Sequence, residues 1–490
     1  MNIHHQHKSL LPLLGICLAG LLLGNGRTSA QPETGAPPRS KTYKWSLIET
    51  AKDTNHRLTA LRITSPASAT SADSVISCDP QQRCQEIVGI GGALTESAAW
   101  TLAQLPAKSR MEVLRRYFDP KDGLGYTVCR THMNSCDFSL NSWSLDDTPG
   151  DVTLTNFTLE PMRRWLMPLI RDARTACGET NFHLLVSTWS PPAWMKSNGE
   201  MIHGGSLKPE DRDVWANFFV RFIQAMKQQE GIPVWAVTVQ NEPAAKQRWE
   251  SCLYTAEEER DFVRDHLGPA LEKAGLNDVH LLVWDHNRDL LYQRATTVFK
   301  DPGASRYVWG AALHWYGPEM FDESSRVHAD FPDKALLFTE GCWEGGVKLG
   351  QWDRGERYAR NMIGDFRNWV CGWIDWNIAL NTSGGPNHVG NNCDAPVIVD
   401  CQKGEVYYQT SFYYIGHFSR FVKPGAHRIV SSGGPGTLQS VAFVNPDGSV
   451  VTVVLNATDT PARFGLSVGG QSLACSIPAH AIQTYVGTPR

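Results

Sequence analysis

Several familiar catalytic and structural signatures are missing from this 490-residue sequence. It has no Cys-x-x-Cys pair, so a zinc cluster has no support. Its Gly-x-Ser-x-Gly match, Gly465–Gly469, lies in a run of short strands and lacks the strand-to-helix turn of a nucleophile elbow, so a serine hydrolase is not indicated. The formal net charge of -4 gives no reason to expect nucleic acid or an anionic membrane as a partner. After the N-terminal segment no apolar run is long enough to cross a bilayer, so stable membrane insertion is not expected.

Histidines near predicted strand ends are candidate metal ligands. Asp285-His286, His314 and His388 lie at strand ends or in loops, but their spacing matches no ligand motif. A hydrogen-bonded or solvent-facing histidine is the commoner case. The sequence therefore predicts neither a metal site nor another cofactor.

The N-terminal 30 residues are typical of a secretory signal peptide. Lys8 precedes a short apolar run that ends at Leu23, and the small residues Thr28-Ser29-Ala30 suit a cleavage site. A membrane anchor is the alternative, but the run is short for a span and is interrupted by Pro12. We therefore expect residues 1–30 to be removed and the protein to be secreted or periplasmic. Residues 31–42 are Pro- and Gly-containing and polar, which predicts a linker.

The mature chain is long enough for one large domain and a small partner, and its 42% hydrophobic content indicates an ample core. Short alternating runs predict strands in residues 43–86 and again in residues 407–490. Between them, residues 87–406 repeat a strand, a loop and an amphipathic helix. The strand candidates of this central region are Ile87–Gly91, Tyr126–Met133, Phe182–Trp189, Val234–Gln240, Leu281–Asp285, Val308–Tyr316, Leu336–Thr339 and Gly372–Ile378.

Eight strands alternating with helices predict a (β/α)8 TIM barrel. An open doubly wound sheet is the alternative, but no Gly-rich phosphate-binding fingerprint follows the first strand. Neither β-rich end has enough strands to be stable alone, so we expect both ends to form one side β-sandwich. Among the helices, Thr255 and Glu258 predict a capping box, and the acidic run that ends at Glu259 is expected to be a solvated first turn.

Two glutamates follow apolar strands in the same way. The run from Val234 ends in Asn241-Glu242-Pro243, where proline stops the strand, and Leu336–Thr339 is followed by Glu340 and a glycine. In a barrel, both carboxylates would lie at the C-terminal mouth, where active sites are found. The alternative is that each glutamate has a purely structural role and caps a loop.

Paired carboxylates at one barrel mouth suit glycosidic-bond cleavage. Glu242 would act as acid/base and Glu340 as nucleophile, with retention of configuration if the carboxyl groups lie about 5–5.5 Å apart. We also expect the charge of Glu340 to raise the pKa of Glu242 and keep it protonated. Asn241 is placed to hold a sugar hydroxyl.

Aromatic side chains are frequent at the same strand ends. Flat rings pack on the apolar face of a pyranose, so we expect Trp189 and Trp376 to face the ligand. Trp235 and Trp373 are expected to be core residues, since alternate strand residues point inward. Trp194, His314 and Tyr316 lie nearby. Two polar residues lie at and just beyond the end of the second strand. Arg130 could orient a glutamate, and Asp137 could accept hydrogen bonds from sugar hydroxyls. The alternative is that the two form a plain ion pair.

Small disulfide loops are possible between Cys78 and Cys84 and between Cys393 and Cys401, which are close in sequence. Three other cysteines have apolar or motif surroundings that are typical of buried thiols. These are Cys136, Cys252 and Cys342.

Several of these motifs occur together in one order along the chain. They are Gly91-Gly-Ala-Leu-Thr-Glu96, Ser135-Cys-Asp137-Phe-Ser139, Ser187-Thr-Trp189-Ser-Pro-Pro-Ala-Trp194, Gln240-Asn-Glu-Pro243, His314-Trp-Tyr316, Thr339-Glu340-Gly-Cys342 and Asp375-Trp-Asn377. In this respect the chain resembles glycoside hydrolase family 30, in the branch that holds lysosomal glucosylceramidase, bacterial β-glucosidases and β-1,6-glucanases. The resemblance extends from about Tyr43 to the end.

This resemblance implies a retaining (β/α)8 hydrolase with a side β-sandwich, in which Glu242 is the acid/base and Glu340 the nucleophile. It implies that the non-reducing glucose is contacted by Asp137, Trp189, Asn241, Trp376 and Asn391. Arg130 would support the nucleophile. We also include Arg130, His314 and Tyr316 among the predicted substrate-binding residues.

Two departures from the lysosomal pattern affect the substrate. Gln240 replaces an acidic residue before Asn-Glu-Pro, and His388 replaces an aromatic residue in the Gly384-Gly-Pro-Asn-x loop. Both lead us to expect soluble β-glucosides or β-glucans rather than a lipid. The alternatives are a β-xylosidase or β-fucosidase, an inverting hydrolase, or a carbohydrate-binding protein without activity; the oligomeric state stays open.

Overall fold

The computed structural model describes residues 42–63 and 74–490. The predicted signal peptide, residues 1–30, and all but the last residue of the predicted linker lie outside the described residues. Within the described ranges, none of the helices has the length and apolar character needed to span a membrane.

Twenty strands occur in the described residues. In chain order they are β1 (Tyr43–Ala51), β2 (Thr59–Leu61), β3 (Val75–Ile87), β4 (Gly89–Ala93), β5 (Val128–Met133), β6 (His183–Thr188), β7 (Ala236–Thr238), β8 (His280–Asn287), β9 (Gly310–His314), β10 (Ala335–Glu340), β11 (Gly372–Asn377), β12 (Ala379–Asn381), β13 (Val397–Asp400), β14 (Glu405–Tyr408), β15 (Ala426–Gly433), β16 (Gln439–Val444), β17 (Val450–Asn456), β18 (Ala462–Val468), β19 (Gln471–Ile477) and β20 (Ala481–Pro489).

The helices of the described residues lie mostly between the barrel strands. They are α1 (Glu96–Ala103), α2 (Ala107–Phe118), α3 (Glu160–Arg163), α4 (Leu166–Cys177), α5 (Arg212–Glu230), α6 (Ala256–Phe262), α7 (Gly268–Lys273), α8 (Leu291–Phe299), α9 (Pro302–Ser305), α10 (Asp322–Asp330), α11 (Trp352–Arg367) and α12 (Thr410–Ser419). A π-helical turn, Val263–Leu267, joins α6 to α7.

The strands β4 to β11 form a closed barrel in which every neighbouring pair is parallel. This confirms the predicted (β/α)8 architecture. Apolar side chains from seven of these strands fill one packed layer, so the barrel is a core and its chemistry lies at the strand ends. The layer consists of Val128, Leu185, Ala236, Leu282, Ala312, Leu337 and Ile374.

Strands from both ends of the chain form a second, nine-stranded sheet in the order β19-β18-β3-β15-β16-β17-β20-β1-β2. The sheet folds over on itself, because the rings of Phe464 in β18 and Tyr485 in β20 approach to 6.0 Å although four strands separate them in the hydrogen-bonded order. The two ends therefore share one sandwich core, as predicted.

The stretch after the barrel contains more than the predicted strands. The short sheet β12-β13-β14 and the helix α12 come before the sandwich strands. His417 of α12 bonds with its two ring nitrogens to Thr50 and Thr484 of the sandwich, at 2.9 and 2.8 Å. This helix thus connects the sandwich to the barrel, where α12 packs on α11.

The two suggested disulfides are wrong, because all cysteines in the described part of the chain are free. Cys78 lies opposite Ser431 in the β3–β15 ladder, whereas Cys84 lies beyond the Arg83–Ile429 pair. The strand β13 runs between Cys393 and Cys401 and, at about 3.3 Å per residue, holds them too far apart for an S–S bond.

Candidate active site

Glu242 follows β7 on a backbone that bends sharply. Its φ of 47° lies in the left-handed region, which is strained for a residue with a side chain. The neighbouring strands hold this bend, because the Asn241 N–H donates to the Thr188 carbonyl at 2.8 Å and the Glu242 N–H donates to the Asp285 carbonyl at 3.0 Å. The bend aims the Glu242 carboxylate into the barrel mouth.

Glu340 is the last residue of β10, and both of its oxygens accept hydrogen bonds. Arg130 Nη1 donates to Oε2 at 2.5 Å, and the Tyr316 hydroxyl donates to Oε1 at 2.9 Å. The carboxylate is buried, with 6% of the residue exposed. Its orientation is therefore fixed from two directions.

Arg130 is the centre of the network below the site. Its side chain is fully buried, and besides Glu340 it donates to Ser187 Oγ at 2.9 Å and to Asn241 Oδ1 and Asp285 Oδ2 at 2.8 Å each. A buried guanidinium is tolerated only when its donors are paired in this way. Arg130 thus links strands β5, β6, β8 and β10.

His314 lies between two carboxylates. Its Nδ1 is 3.2 Å from Glu242 Oε1, and its Nε2 is 2.9 Å from Asp285 Oδ1. Burial would lower the pKa of His314, but the charge of Glu340 and the bonds to Asp285 and Glu242 outweigh it and raise the pKa to about 9. The imidazole is therefore protonated at neutral pH.

One carboxylate oxygen each from Glu242 and Glu340 and one nitrogen of His314 all lie within 4.8 Å of one another. Burial raises the pKa of Glu340, against the opposing effects of His314 and Arg130. Burial also acts to raise the pKa of Glu242, but the hydrogen bond from His314 and the nearby histidine charge lower it overall. The expected upward shift of the Glu242 pKa is therefore wrong for the ligand-free protein, because the hydrogen bond from His314 and the charges of His286 and His314 outweigh the effect of burial.

The two glutamates open into a cavity of about 190 Å³. Most of the predicted site residues line it, but Arg130 and His314 do not: they lie beneath and contact the glutamates instead. The predicted residues on the cavity wall are Asp137, Trp189, Asn241, Glu242, Tyr316, Glu340, Trp376 and Asn391.

Asp137 and Asn391 meet on one side of the cavity, where Asn391 Nδ2 donates to Asp137 Oδ2 at 2.8 Å. Burial, together with the charge of Glu340, raises the pKa of Asp137 to about 8. This carboxyl is therefore protonated at neutral pH and offers a donor as well as acceptors. Such a pair can exchange hydrogen bonds with sugar hydroxyls.

Trp189 and Trp376 stack on each other, with ring centroids 5.3 Å apart and planes inclined by 24°. The Arg130 guanidinium lies 4.8 Å from the Trp189 ring. Trp373 is a core residue, stacked on Phe338 at 4.3 Å, and Trp235 packs partly buried against the apolar barrel layer. The two rings that were expected at the ligand are thus on the cavity wall, and the two others are not.

Sequence reasoning did not single out every cavity residue. The sequence offers His286 only as a candidate metal ligand, yet its Nε2 lies 4.0 Å from Glu242 Oε1. Its buried Nδ1 has no hydrogen-bond partner among the described residues. Its position next to Asp285, at a predicted strand end, is the sequence feature that could have placed it in the active site. Asn287, at the end of β8, also lines the cavity. The remaining cavity residues come from loops, in which hydrophobic periodicity gives no signal: Gln247, Trp249, Cys342, Glu344 and Cys393.

The two residues that depart from the lysosomal pattern have distinct surroundings. Gln240 is buried and donates to the carbonyls of Trp189 and Asn241 at 2.7 and 2.9 Å. His388 Nε2 lies 3.2 Å from a carboxylate oxygen of the buried Glu250. Neither side chain lines the cavity.

Comparison with known proteins agrees with this geometry. The family model described as the glycosyl hydrolase family 30 TIM-barrel domain matches residues 87–422, and the model of the family 30 beta sandwich domain matches residues 425–485. The lysosomal acid glucosylceramidase of Mus musculus is 37% identical over 439 residues, which cover 86% of this chain and 84% of the relative.

Two solved structures show the same architecture. SrfJ from Salmonella typhimurium is 34% identical with a TM-score of 0.87, and the match covers 91% of this chain and 100% of that one. The endo-beta1,6-glucanase BT3312 is 29% identical with a TM-score of 0.82, over 91% and 99% of the two chains. The chain belongs to glycosyl hydrolase family 30 and is an O-glycosyl hydrolase.

Proposed function

We propose that this protein is a retaining β-glucosidase-type hydrolase that removes a β-D-glucosyl unit through a covalent glycosyl-enzyme. The observation that carries the proposal is the separation of Glu242 and Glu340, whose carboxylate oxygens approach within 4.8 Å. This supports retention, because retaining enzymes hold the two carboxyl groups about 5–5.5 Å apart and inverting enzymes need about 6.5–9.5 Å for a water.

In the first step, the Glu340 carboxylate attacks the anomeric carbon while the bond to the leaving oxygen breaks and Glu242 protonates that oxygen. In the second step, Glu242 takes a proton from water, and the hydroxide oxygen displaces Glu340 from the anomeric carbon. Arg130 and Tyr316 keep Glu340 aimed at the carbon. In the ligand-free protein the pKa of Glu340 is raised and that of Glu242 is lowered. Positive charge that develops on the bound sugar favours an ionised Glu340, so a proton shared by the two glutamates is then held by Glu242.

The cavity fits one sugar ring better than a long chain. Its volume of about 190 Å³ is below the roughly 300–1,000 Å³ of ordinary small-molecule pockets. Trp189 and Trp376 provide aromatic surface, while Asp137, Asn241 and Asn391 provide hydroxyl partners. The glucosylceramidase and β1,6-glucanase relatives support glucose as that sugar.

Soluble β-glucosides or β-glucans remain our proposed substrates. Gln240 and His388, which differ from the lysosomal pattern, both lie outside the cavity. Gln240 bonds to the carbonyls of Trp189 and Asn241, behind the proposed glucose site, whereas His388 pairs with Glu250, so only His388 is a candidate for the aglycone side. We also propose that the enzyme is secreted or periplasmic, on the strength of the N-terminal segment. N-terminal sequencing of the exported protein should begin after Ala30, and retention of Met1 in the mature protein would contradict it.

The central test compares aryl β-glucoside, β-xyloside and β-fucoside under identical conditions. We expect the glucoside to have the highest kcat/KM and proton NMR to show the β-anomer of glucose as the first product. First release of the α-anomer would exclude retention, and preference for the xyloside or fucoside would select the alternative sugars. Complete inactivity of the well-folded protein on all three would favour a carbohydrate-binding role.

The aglycone requires a second experiment, with β-1,6-glucan, cellobiose and glucosylceramide offered at equal concentrations of glucosyl ends. We expect glucose to be the main product from the soluble substrates. Oligosaccharides as the first products from β-1,6-glucan would indicate endo action, and fastest turnover of glucosylceramide would contradict the preference for soluble substrates.

A further inference from the structure

Two cysteines line the active-site cavity, and the proposed reaction uses neither of them. Cys342 and Cys393 are 3% and 1% exposed, yet both line the cavity that holds Glu340. Both side chains belong to one packed cluster that also contains Trp189 and Trp376. Such packing of side chains from distant parts of the sequence requires that the two segments be held together.

Backbone bonds hold the two segments. The Asp394 N–H donates to the Trp343 carbonyl at 2.8 Å, and the Gly345 N–H donates to the Asn392 carbonyl at 3.1 Å. Glu344 is therefore directly opposite Cys393 in a short antiparallel bridge. Cys342, two residues before Glu344, lies on the same face of this bridge, diagonal to Cys393.

Acidic residues share the cavity wall with the thiols. Four carboxyl-bearing residues line the cavity, and one of them, Glu344, is directly opposite Cys393, so a cation that enters beside the thiols meets an acidic neighbour. The Tyr316 hydroxyl lies 3.5 Å from Cys342 Sγ and also donates to Glu340. The carboxyl-bearing residues are Asp137, Glu242, Glu340 and Glu344.

We propose that Cys342 and Cys393 form a two-sulfur binding site for a soft monovalent metal ion of the Cu⁺ class. Thiolates select soft ions, and each thiol would lose its proton on binding. Zinc fits less well, because it takes four ligands. Among the described residues, the cluster with metal-ligand spacing is Glu242, His314 and Glu340, which does not include the sulfurs.

Binding at this site would block catalysis reversibly. The ion would occupy the cavity beside Glu340 and would disturb the contact between Tyr316 and Cys342. Positive charge near Glu340 would also weaken its attack on the anomeric carbon. This inhibition rests on the proposed function, whereas binding of the ion does not, so the two are measured separately.

The experiment adds Cu⁺, as its acetonitrile complex, to the fully reduced protein without oxygen, and removes loosely bound copper by gel filtration with a weak chelator. We expect Cys342→Ser and Cys393→Ala each to retain about one copper ion per chain fewer than the wild type, because a two-ligand site needs both sulfurs. The matched controls, Cys84→Ser and Cys401→Ser, change half-buried cysteines outside the cavity and should retain the wild-type amount.

Thermal unfolding of each variant identifies any that has failed to fold, and Cys393→Val then replaces Cys393→Ala. In a second measurement, a monosaccharide-like inhibitor bound beforehand should slow copper uptake by the wild type but not by Cys393→Ala. Equal copper retention by the wild type and both cavity variants would overturn the metal site. Loss of copper in those variants with no copper inhibition of the wild type would keep the site but contradict its effect on Glu340.

Discussion

A carboxylate oxygen of Glu242 lies within 4.8 Å of a carboxylate oxygen of Glu340 across the barrel mouth. Each glutamate is held by a different partner, His314 for Glu242 and Arg130 for Glu340. This asymmetry explains how two buried carboxylates of the same type can have different protonation behaviour at the same pH. It also makes the contribution of each partner measurable.

Replacement of the proposed nucleophile, Glu340→Gln, should abolish double displacement while keeping the shape of the site. We expect kcat on an aryl β-glucoside to fall at least about 10³-fold, since loss of a covalent nucleophile removes the chemical step. Steady-state kinetics with the wild type as control measures this. Activity within a factor of ten of the wild type would exclude Glu340 as the nucleophile.

Replacement of the proposed acid/base, Glu242→Ala, should affect the second step most when the leaving group is good. We then expect a burst of aryl alcohol followed by slow turnover, and azide should restore part of the rate by attacking the glycosyl-enzyme. The product with azide should be β-glucosyl azide, which mass spectrometry and NMR identify. If azide changes neither rate nor product, Glu242 has another role.

Arg130→Lys keeps the charge but loses the planar fork that bonds to Ser187, Asn241 and two carboxylates. We expect a loss of about 1.5–3 kcal/mol in the free energy of unfolding, because the charge is kept but hydrogen bonds to charged partners are lost. Urea denaturation measures the loss, and kcat should fall as well. The control Arg360→Lys changes an exposed ion pair with Glu319 and should cost about 0–1 kcal/mol.

The protonated state of His314 should stabilise the fold in a pH-dependent way. Its pKa is raised from 6.5 to about 9, so its stabilisation is complete below pH 6.5 and is lost as the pH rises to about 9. We expect the stability advantage of the wild type over His314→Asn to shrink across this window, by at most about 1.4 kcal/mol per pH unit. An advantage that stays constant from pH 6 to pH 9 would contradict a charged His314.

His417 should act in the opposite direction. Burial lowers its pKa to about 3, so its stabilisation is complete above pH 6.5 and is lost as the pH falls towards 3. His417→Gln keeps a side chain that can bond to Thr50 and Thr484 but cannot be charged. We expect the variant to lose less stability than the wild type between pH 6.5 and pH 4, measured by thermal unfolding; parallel curves would exclude a neutral His417.

The local sequence pattern predicted the start of helix α6 correctly but did not predict that Glu259 in its first turn is buried. The capping box of Thr255 and Glu258 is present, because its bonds join residues three apart. Glu259 was expected to be solvated, yet it is buried, accepts the Trp284 N–H at 2.8 Å and pairs with Arg294. Those partners lie on β8 and α8, and no local pattern reports how a helix is rotated against them.

The sequence alone predicted the barrel strands, the strand ends that carry Glu242 and Glu340, and the joining of the two β-rich termini. Strand period, proline stops and unpaired β-runs are local signals, and they fix which residues come to a barrel mouth. The placement of Cys342 and Cys393 in one cavity, the central place of Arg130 and the lowered pKa of Glu242 were not predicted. Each depends on side chains from separate strands or loops meeting at atomic distance, which only closure of the barrel and packing of its loops decide.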